Sequence, residues 1–223
     1  MSLNNKSRIS CIFKAFSIWI LIFVFGNLIG GMIRQQVDGL VYAIISIQII
    51  FTASSTLAAI ILFKAKYRDL MGLRPQSGPI LKVIAISFAS SLPMTYLINI
   101  LASTSHQIQL SILFLIPITL ILAPIGEEFL FRGLLLGCLI RCIGRWPAII
   151  ISSIVFALAH LSAFNAYLMT PLTIFLILVG ASILGLIAGH FKTSTNSLIP
   201  AIIAHSIFNF SGMVTGIIIN LSI

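Results

Sequence analysis

Apolar residues fall into seven blocks, at about 12–33, 40–63, 80–101, 109–139, 147–164, 171–190 and 198–220. Each runs for roughly 20 residues or more, long enough for a helix to cross a hydrocarbon core of about 30 Å. Polar residues collect in the short stretches between them. The pattern predicts an all-α, polytopic transmembrane bundle of seven helices, a single domain over residues 1–223. The fourth block is too long for one straight span and contains Pro117 and Pro124, which can kink or break a helix. One long, bent or tilted crossing is expected there, because two crossings would put Arg141 and Arg145 outside.

Composition points the same way. The chain is 59% hydrophobic and 8% charged, with a mean hydropathy of +1.17, whereas a soluble domain carries about a quarter charged residues. An integral membrane protein surrounded by lipid is expected. The net charge of +9 does not indicate a nucleic-acid partner, because the basic residues lie mostly between apolar blocks. Lys6, Arg8 and Lys14 open the first, five basic residues from Lys64 to Lys82 crowd the second connection, Arg141 and Arg145 mark the fourth and Lys192 the sixth. The third and fifth connections have no Lys or Arg, and the first has Arg34 beside Asp38. This alternation predicts a cytoplasmic N-terminus. The first block is read as an uncleaved span, being too long for a signal peptide and lacking a small-residue cleavage site. Cys11, Cys138 and Cys142 are odd in number, and Cys138 and Cys142 are read as small apolar helix residues with no paired disulfide expected.

Of only four acidic residues, Glu127 and Glu128 stand side by side inside the fourth block, with Arg132 close behind. An ionisable group at the bilayer centre costs about 2.5–3.5 kcal/mol on insertion scales. His160 on the fifth helix and His205 with Asn209 on the seventh add further polar groups. At about 1.5 Å per residue, Glu127, His160 and His205 lie about 18, 20 and 11 Å from the cytoplasmic ends of their segments. All three fall inside the hydrocarbon and can meet. Glu128 and Arg132, four apart, share a helix face and can pair. Glu127 is turned about 100° away, free to act as a general base. His205 and Asn209, also four apart, can aim donors at one spot, as an oxyanion requires. His160 can hold or help deprotonate a water. The bland alternatives are a structural ion pair, a histidine bonded to a carbonyl, and an asparagine binding helices together. His106 and His190, at predicted membrane edges, are read as incidental.

The motifs Glu-Glu-x-x-x-Arg (Glu127 to Arg132), Phe-x-x-x-His (Phe156 to His160) and His-x-x-x-Asn (His205 to Asn209), in this order, resemble the CAAX protease and bacteriocin-processing (CPBP, or Abi) family of intramembrane endopeptidases. The segment YRDLMGLRP, before the third helix, is similar to a common lead-in of that family. The resemblance covers a catalytic core of about residues 65–215. It implies that Glu127 and His160 activate water, His205 and Asn209 stabilise the oxyanion, Glu128 and Arg132 support the site, and Phe156 packs beneath His160.

It also implies a metal-independent mechanism with no cofactor, in a prokaryotic plasma membrane. The substrate it implies is a protein or peptide, either prenylated or a bacteriocin or pheromone precursor. Zinc at Glu127, His160 and His205 is the competing reading, since two His and one Glu ligate zinc in some hydrolases, although His-Glu-x-x-His is absent. Gly-x-Ser-Gly is absent too, and neither Asp38 nor Asp69 lies deep in a span, which disfavours serine and aspartyl types. Two other functions compete with a protease: a non-catalytic immunity or scaffold protein, and a transporter using the Glu/His cluster as a proton relay.

Overall fold

The computed structural model describes residues 5–36, 39–74, 79–102, 116–163 and 169–221. Asp38 and His106 lie outside the described residues. Seven long helices follow the seven apolar blocks, with one short helix between the second and third: α1 (Asn5–Arg34), α2 (Gly39–Phe63), α3 (Tyr67–Met71), α4 (Ile80–Ala102), α5, α6 (Arg145–Ala163), α7 (Pro171–Thr195) and α8 (Ile199–Leu221). Helix α5 is continuous, made of Ile118–Leu122, Ala123–Glu128, Phe129–Leu136 and Gly137–Ile143. Among the described residues, five helices are long and apolar enough to cross a membrane by themselves; α6 is shorter. No strand occurs among the described residues.

The bundle is turned inside out relative to a water-soluble one. Ser55, Ser87, Ser152 and Ser153 are buried, as are Glu128, Arg132 and His205, while Leu21, Phe25, Leu28 and Ile61 face outward. Lipid favours this arrangement, because apolar side chains lose nothing in it and polar groups need partners within the protein. Ser91 and Ser211 share a hydrogen bond of 2.7 Å between α4 and α8, and Asn99 donates to the Gly212 carbonyl at 3.0 Å. The main packed pairs are α1 with α2, α4 with α8, and α6 with α7.

The basic connections gather at one end of the bundle. The Arg141 guanidinium lies 4.6 Å from the centre of the Phe63 ring, and Arg145 donates to Thr193 at 3.0 Å. Lys192 reaches across to the Leu70 carbonyl at the end of α3, 2.9 Å away. Gly72, at φ 73°, turns the chain so that Leu198 N–H donates to its carbonyl at 2.9 Å. The segment from Tyr67 to Arg74 is thereby docked on the α7–α8 turn. Gly144, at φ 84°, is the whole connection between α5 and α6.

One cysteine expectation is corrected here. Cys11 and Cys142 form a disulfide, with Cα atoms 5.6 Å apart and a sequence separation of 131. Cys138 is the free, buried cysteine. The pairing joins the start of α1 to the end of α5 at the basic end, a proximity that the spacing of Cys138 and Cys142 along one helix cannot reveal.

Candidate active site

The site begins with a proline. Pro124 has no N–H to give, so one helical hydrogen bond to the turn before it on α5 is not made. The local backbone is wide: Ala123 N–H bonds back to the Ile118 carbonyl, a π-type i→i+5 pattern of the kind found often at functional sites. Helix α8 donates to carbonyls of this turn. Ser206 Oγ donates to Leu120 O at 2.7 Å, and Asn209 Nδ2 donates to Thr119 O at 2.8 Å. This anchors Asn209 through one amide hydrogen and leaves the second to point elsewhere. The predicted bend of the fourth segment is in this way a continuous helix stitched to α8.

One turn further along α5 the two glutamates diverge. Glu128 is fully buried with Arg132, whose Nη1 donates to Glu128 Oε1 at 2.9 Å. His205 Nδ1 donates to the same oxygen, also at 2.9 Å. The Arg132 guanidinium lies 4.0 Å from the centre of the Phe156 ring, a cation–π contact strengthened by burial. Glu127 instead faces a cavity and is partly exposed. Its Oε2 lies 3.9 Å from His160 Nε2 and 3.8 Å from His205 Nε2.

The opposite ring nitrogens define how these histidines are held. His160 Nδ1 is 2.9 Å from the Phe156 carbonyl, which can only accept, so Nδ1 carries a proton. Its Nε2 then faces Glu127 with a lone pair in the neutral ring. His205 is oriented the same way by Glu128. Phe156 is the shared platform: its ring centre is 4.3 Å from that of His160 and meets His205 edge-on at 5.6 Å. All seven residues singled out in the sequence, Glu127, Glu128, Arg132, Phe156, His160, His205 and Asn209, are thus brought into one cluster. His190 is elsewhere, its ring centre 5.9 Å from that of Trp146.

Two cavities meet at the cluster. One, about 480 Å³, is lined by α1 and α2 residues including Asn27, Arg34 and Gln48, together with Glu127, His160, His205 and Asn209. The other, about 450 Å³, is lined mainly by apolar residues of α4, α7 and α8 such as Met94, Ile98, Leu184 and Met213, and shares Thr119, His160 and Asn209 with the first. Gln48 is a cavity residue that motif spacing passes over. The signal for it is a polar side chain in mid-span, the same one that marks His160.

Chemically, three ligand-type atoms converge, with Glu127, His160 and His205 offering atoms all within 4.8 Å of one another. Separations of 3.8–3.9 Å from Glu127 to each Nε2 leave room for one water bonded to the carboxylate and a ring. The same His₂Glu set could hold zinc, whose ligands lie about 2.0–2.2 Å from the ion.

Residues 109–211 match the family model described as type II CAAX prenyl endopeptidase Rce1-like. No curated protein and no solved structure matches the chain. The match takes in the described part of α5, all of α6 and α7, and much of α8, and leaves out α1 to α4. The part of the chain that builds the Glu127 cluster is therefore similar to the Rce1-like type II CAAX prenyl endopeptidases.

Proposed function

We propose that this integral membrane protein is an endopeptidase in which Glu127 is the general base. The Rce1-like family gives a membrane protease acting on a protein or peptide; the assignment of residues to steps is our own. The observation that carries it is the position of Glu127 Oε2, between His160 Nε2 and His205 Nε2 at 3.9 and 3.8 Å, on the wall of a cavity large enough for a peptide segment. A water held by Glu127 and His160 gives a proton to Glu127 and adds its oxygen to the scissile carbonyl carbon. The resulting oxyanion takes hydrogen bonds from the second N–H of Asn209 and from His205 Nε2, when that ring carries both protons. Collapse breaks the C–N bond, and Glu127 returns the proton to the leaving amine. Fixed donors aimed at developing charge in a water-poor site are effective because they need no reorganisation.

In this reading Glu128, Arg132 and Phe156 position the histidines and contact no substrate. The reaction needs no metal, and the N-terminus lies in the cytoplasm. The substrate is a membrane-associated peptide, prenylated or a precursor of a secreted peptide. The test compares peptide termini, by mass spectrometry, in native-host membranes carrying wild type or Glu127→Gln at matched expression. A terminus made only by the wild type supports the protease. Identical termini with the phenotype retained would leave a scaffold or immunity protein, and lost solute flux without a change in termini would leave a transporter.

A further inference from the structure

The charges and the Glu127 cavity sit at opposite ends of the bundle. The chain has 13 Lys and Arg residues. All but Arg34 and Arg132 belong to one end: the first half of α1, the stretch from the end of α2 to the start of α4, the α5–α6 turn and the last turn of α7. The larger cavity is built from the other halves of the same helices. It is lined by α1 from Phe23 to Arg34, by α2 from Leu40 to Phe51, by α5 from Thr119 to Phe131, and by the last turns of α6 at Ala159 and His160. Helices α1 and α6 start at the basic end while α2 and α5 finish there, so each of these stretches is the half remote from it. Arg34 and Leu40, at the remote limit of the cavity, are both exposed.

Toward the basic end the cavity has an aromatic floor. Each ring of it stands about one turn from a cavity residue, always on the basic side: Phe131 after Glu127, Phe156 before His160, Phe51 after Gln48, and Phe23 before Asn27, with Trp19 a further turn back. The rings touch one another across four helices. Trp19 stacks on Phe23 with centres 5.2 Å apart, and Phe23 on Phe51 at 5.9 Å. Phe131 meets Trp19 edge-on at 5.5 Å and Phe156 at 5.0 Å. Trp19, Phe51, Phe131 and Phe156 are all buried. A dry, packed layer of this kind separates the Glu127 site from the charged end.

We propose that the site is served from the face of the membrane opposite the basic end, and that its substrate is a peptide or protein segment already exported. Charge bias places the basic end in the cytoplasm, which makes the cavity side the outer face. A segment that stays on the cytoplasmic side, a prenylated tail included, meets the charged end and the aromatic floor instead. Export is therefore the class of step that must supply the substrate. This rests on the reading of Glu127 as the base and narrows its substrate to the secreted-peptide class. The Cys11–Cys142 bond pulls the other way, since disulfides persist in oxidising compartments. Charge acts as the chain inserts, before residues so far apart in sequence can meet, and so outranks the bond as a guide to orientation.

The test is sidedness of thiol access, in a Cys138→Ala background with the Cys11–Cys142 pair left in place. Gly31→Cys puts a thiol in the cavity wall, where an added Cβ meets nothing within 4 Å. Lys66→Cys puts one at the exposed basic end. The membrane-impermeant cation MTSET is added to intact cells or to inverted membrane vesicles. Thiols left unblocked are then counted by mass shift with PEG-maleimide after denaturation, with the parent protein's signal subtracted. Gly31→Cys is expected to be blocked at least tenfold faster from intact cells, and Lys66→Cys at least tenfold faster from inverted vesicles. Blocking of Gly31→Cys faster from the inverted side, or from neither side, overturns the proposal, as does blocking of Lys66→Cys from intact cells. A peptide terminus that appears with the wild type and not with Glu127→Gln, and that lies in a protein confined to the cytoplasm, overturns the substrate class whatever the labelling shows. The labelling requires no turnover, so outer access can fail while Glu127-dependent cleavage stands, and the reverse.

Discussion

Glu128 Oε1 accepts hydrogen bonds from Arg132 Nη1 and from His205 Nδ1, both at 2.9 Å. A single carboxylate oxygen thus ties α5 to α8 and determines which face of His205 looks at Glu127. Its other oxygen, like Arg132 Nε and Nη2, has no hydrogen-bond partner among the described residues. The pair is fully buried, and its effect on stability depends on both members being present.

Glu128→Gln is the variant that exposes this dependence. It leaves the Arg132 charge buried without a counter-charge, and breaking a buried pair from one side costs about 3–5 kcal/mol. The expected outcome is a markedly lower unfolding temperature in detergent, together with loss of turnover because His205 loses its orientation. An unchanged melting curve would mean that Arg132 is held adequately by the Phe156 ring alone.

Glu127→Gln should behave in the opposite way. Glu127 is partly exposed, and neither histidine is within hydrogen-bonding distance of it, so the fold does not depend on its charge. Turnover is expected to fall by about 10²–10⁴-fold, the contribution of a positioned general base, with the unfolding temperature unmoved. A variant that keeps its activity would remove the glutamate from the chemistry.

Much of this was legible in the sequence because the signals are local. Seven apolar blocks became seven long helices, and the i,i+4 spacing of Glu128 and Arg132 became a salt bridge. The depths of Glu127, His160 and His205, counted along separate helices, allowed them to meet. What could not be read depends on contacts between distant segments. The bond from His205 to Glu128 spans 77 residues, and the Cys11–Cys142 pairing spans 131. The role of Pro124 was half visible: the missing N–H is a sequence fact, but the bonds from Ser206 and Asn209 to the Leu120 and Thr119 carbonyls require α8 in place.

Asn209 tests the oxyanion assignment. Asn209→Ala removes a donor aimed at developing charge, a loss of about 10²–10³-fold in kcat with KM little changed. If the side chain served only to hold α8 to the Thr119 carbonyl, the same variant would lower the unfolding temperature and leave kcat near the wild-type value. Measuring both quantities on one preparation separates the two roles.

Metal dependence is decided by chelation. The proposed mechanism places water, not zinc, between Glu127 and the two Nε2 atoms. Purified protein dialysed against a strong zinc chelator is therefore expected to keep its turnover, and added zinc should give no increase. Activity lost on chelation and restored by stoichiometric zinc would convert the same three residues into ligands.

The last prediction concerns the disulfide that joins the two parts of the chain. Helix α1 lies outside the matched residues, yet it supplies one wall of the Glu127 cavity. The Cys11–Cys142 bond pins its first turns to the end of α5, the helix that carries Glu127. Alkylation with iodoacetamide after denaturation in SDS should add one group to the intact mass without reductant, at Cys138, and three after reduction, because the chain has three cysteines of which one is free. Three groups without reductant would show that α1 is held to α5 by packing alone. In that case the aromatic contacts of Trp19 with Phe131, at 5.5 Å between ring centres, and of Phe23 with Phe131, at 6.4 Å, would be what keeps that wall in place.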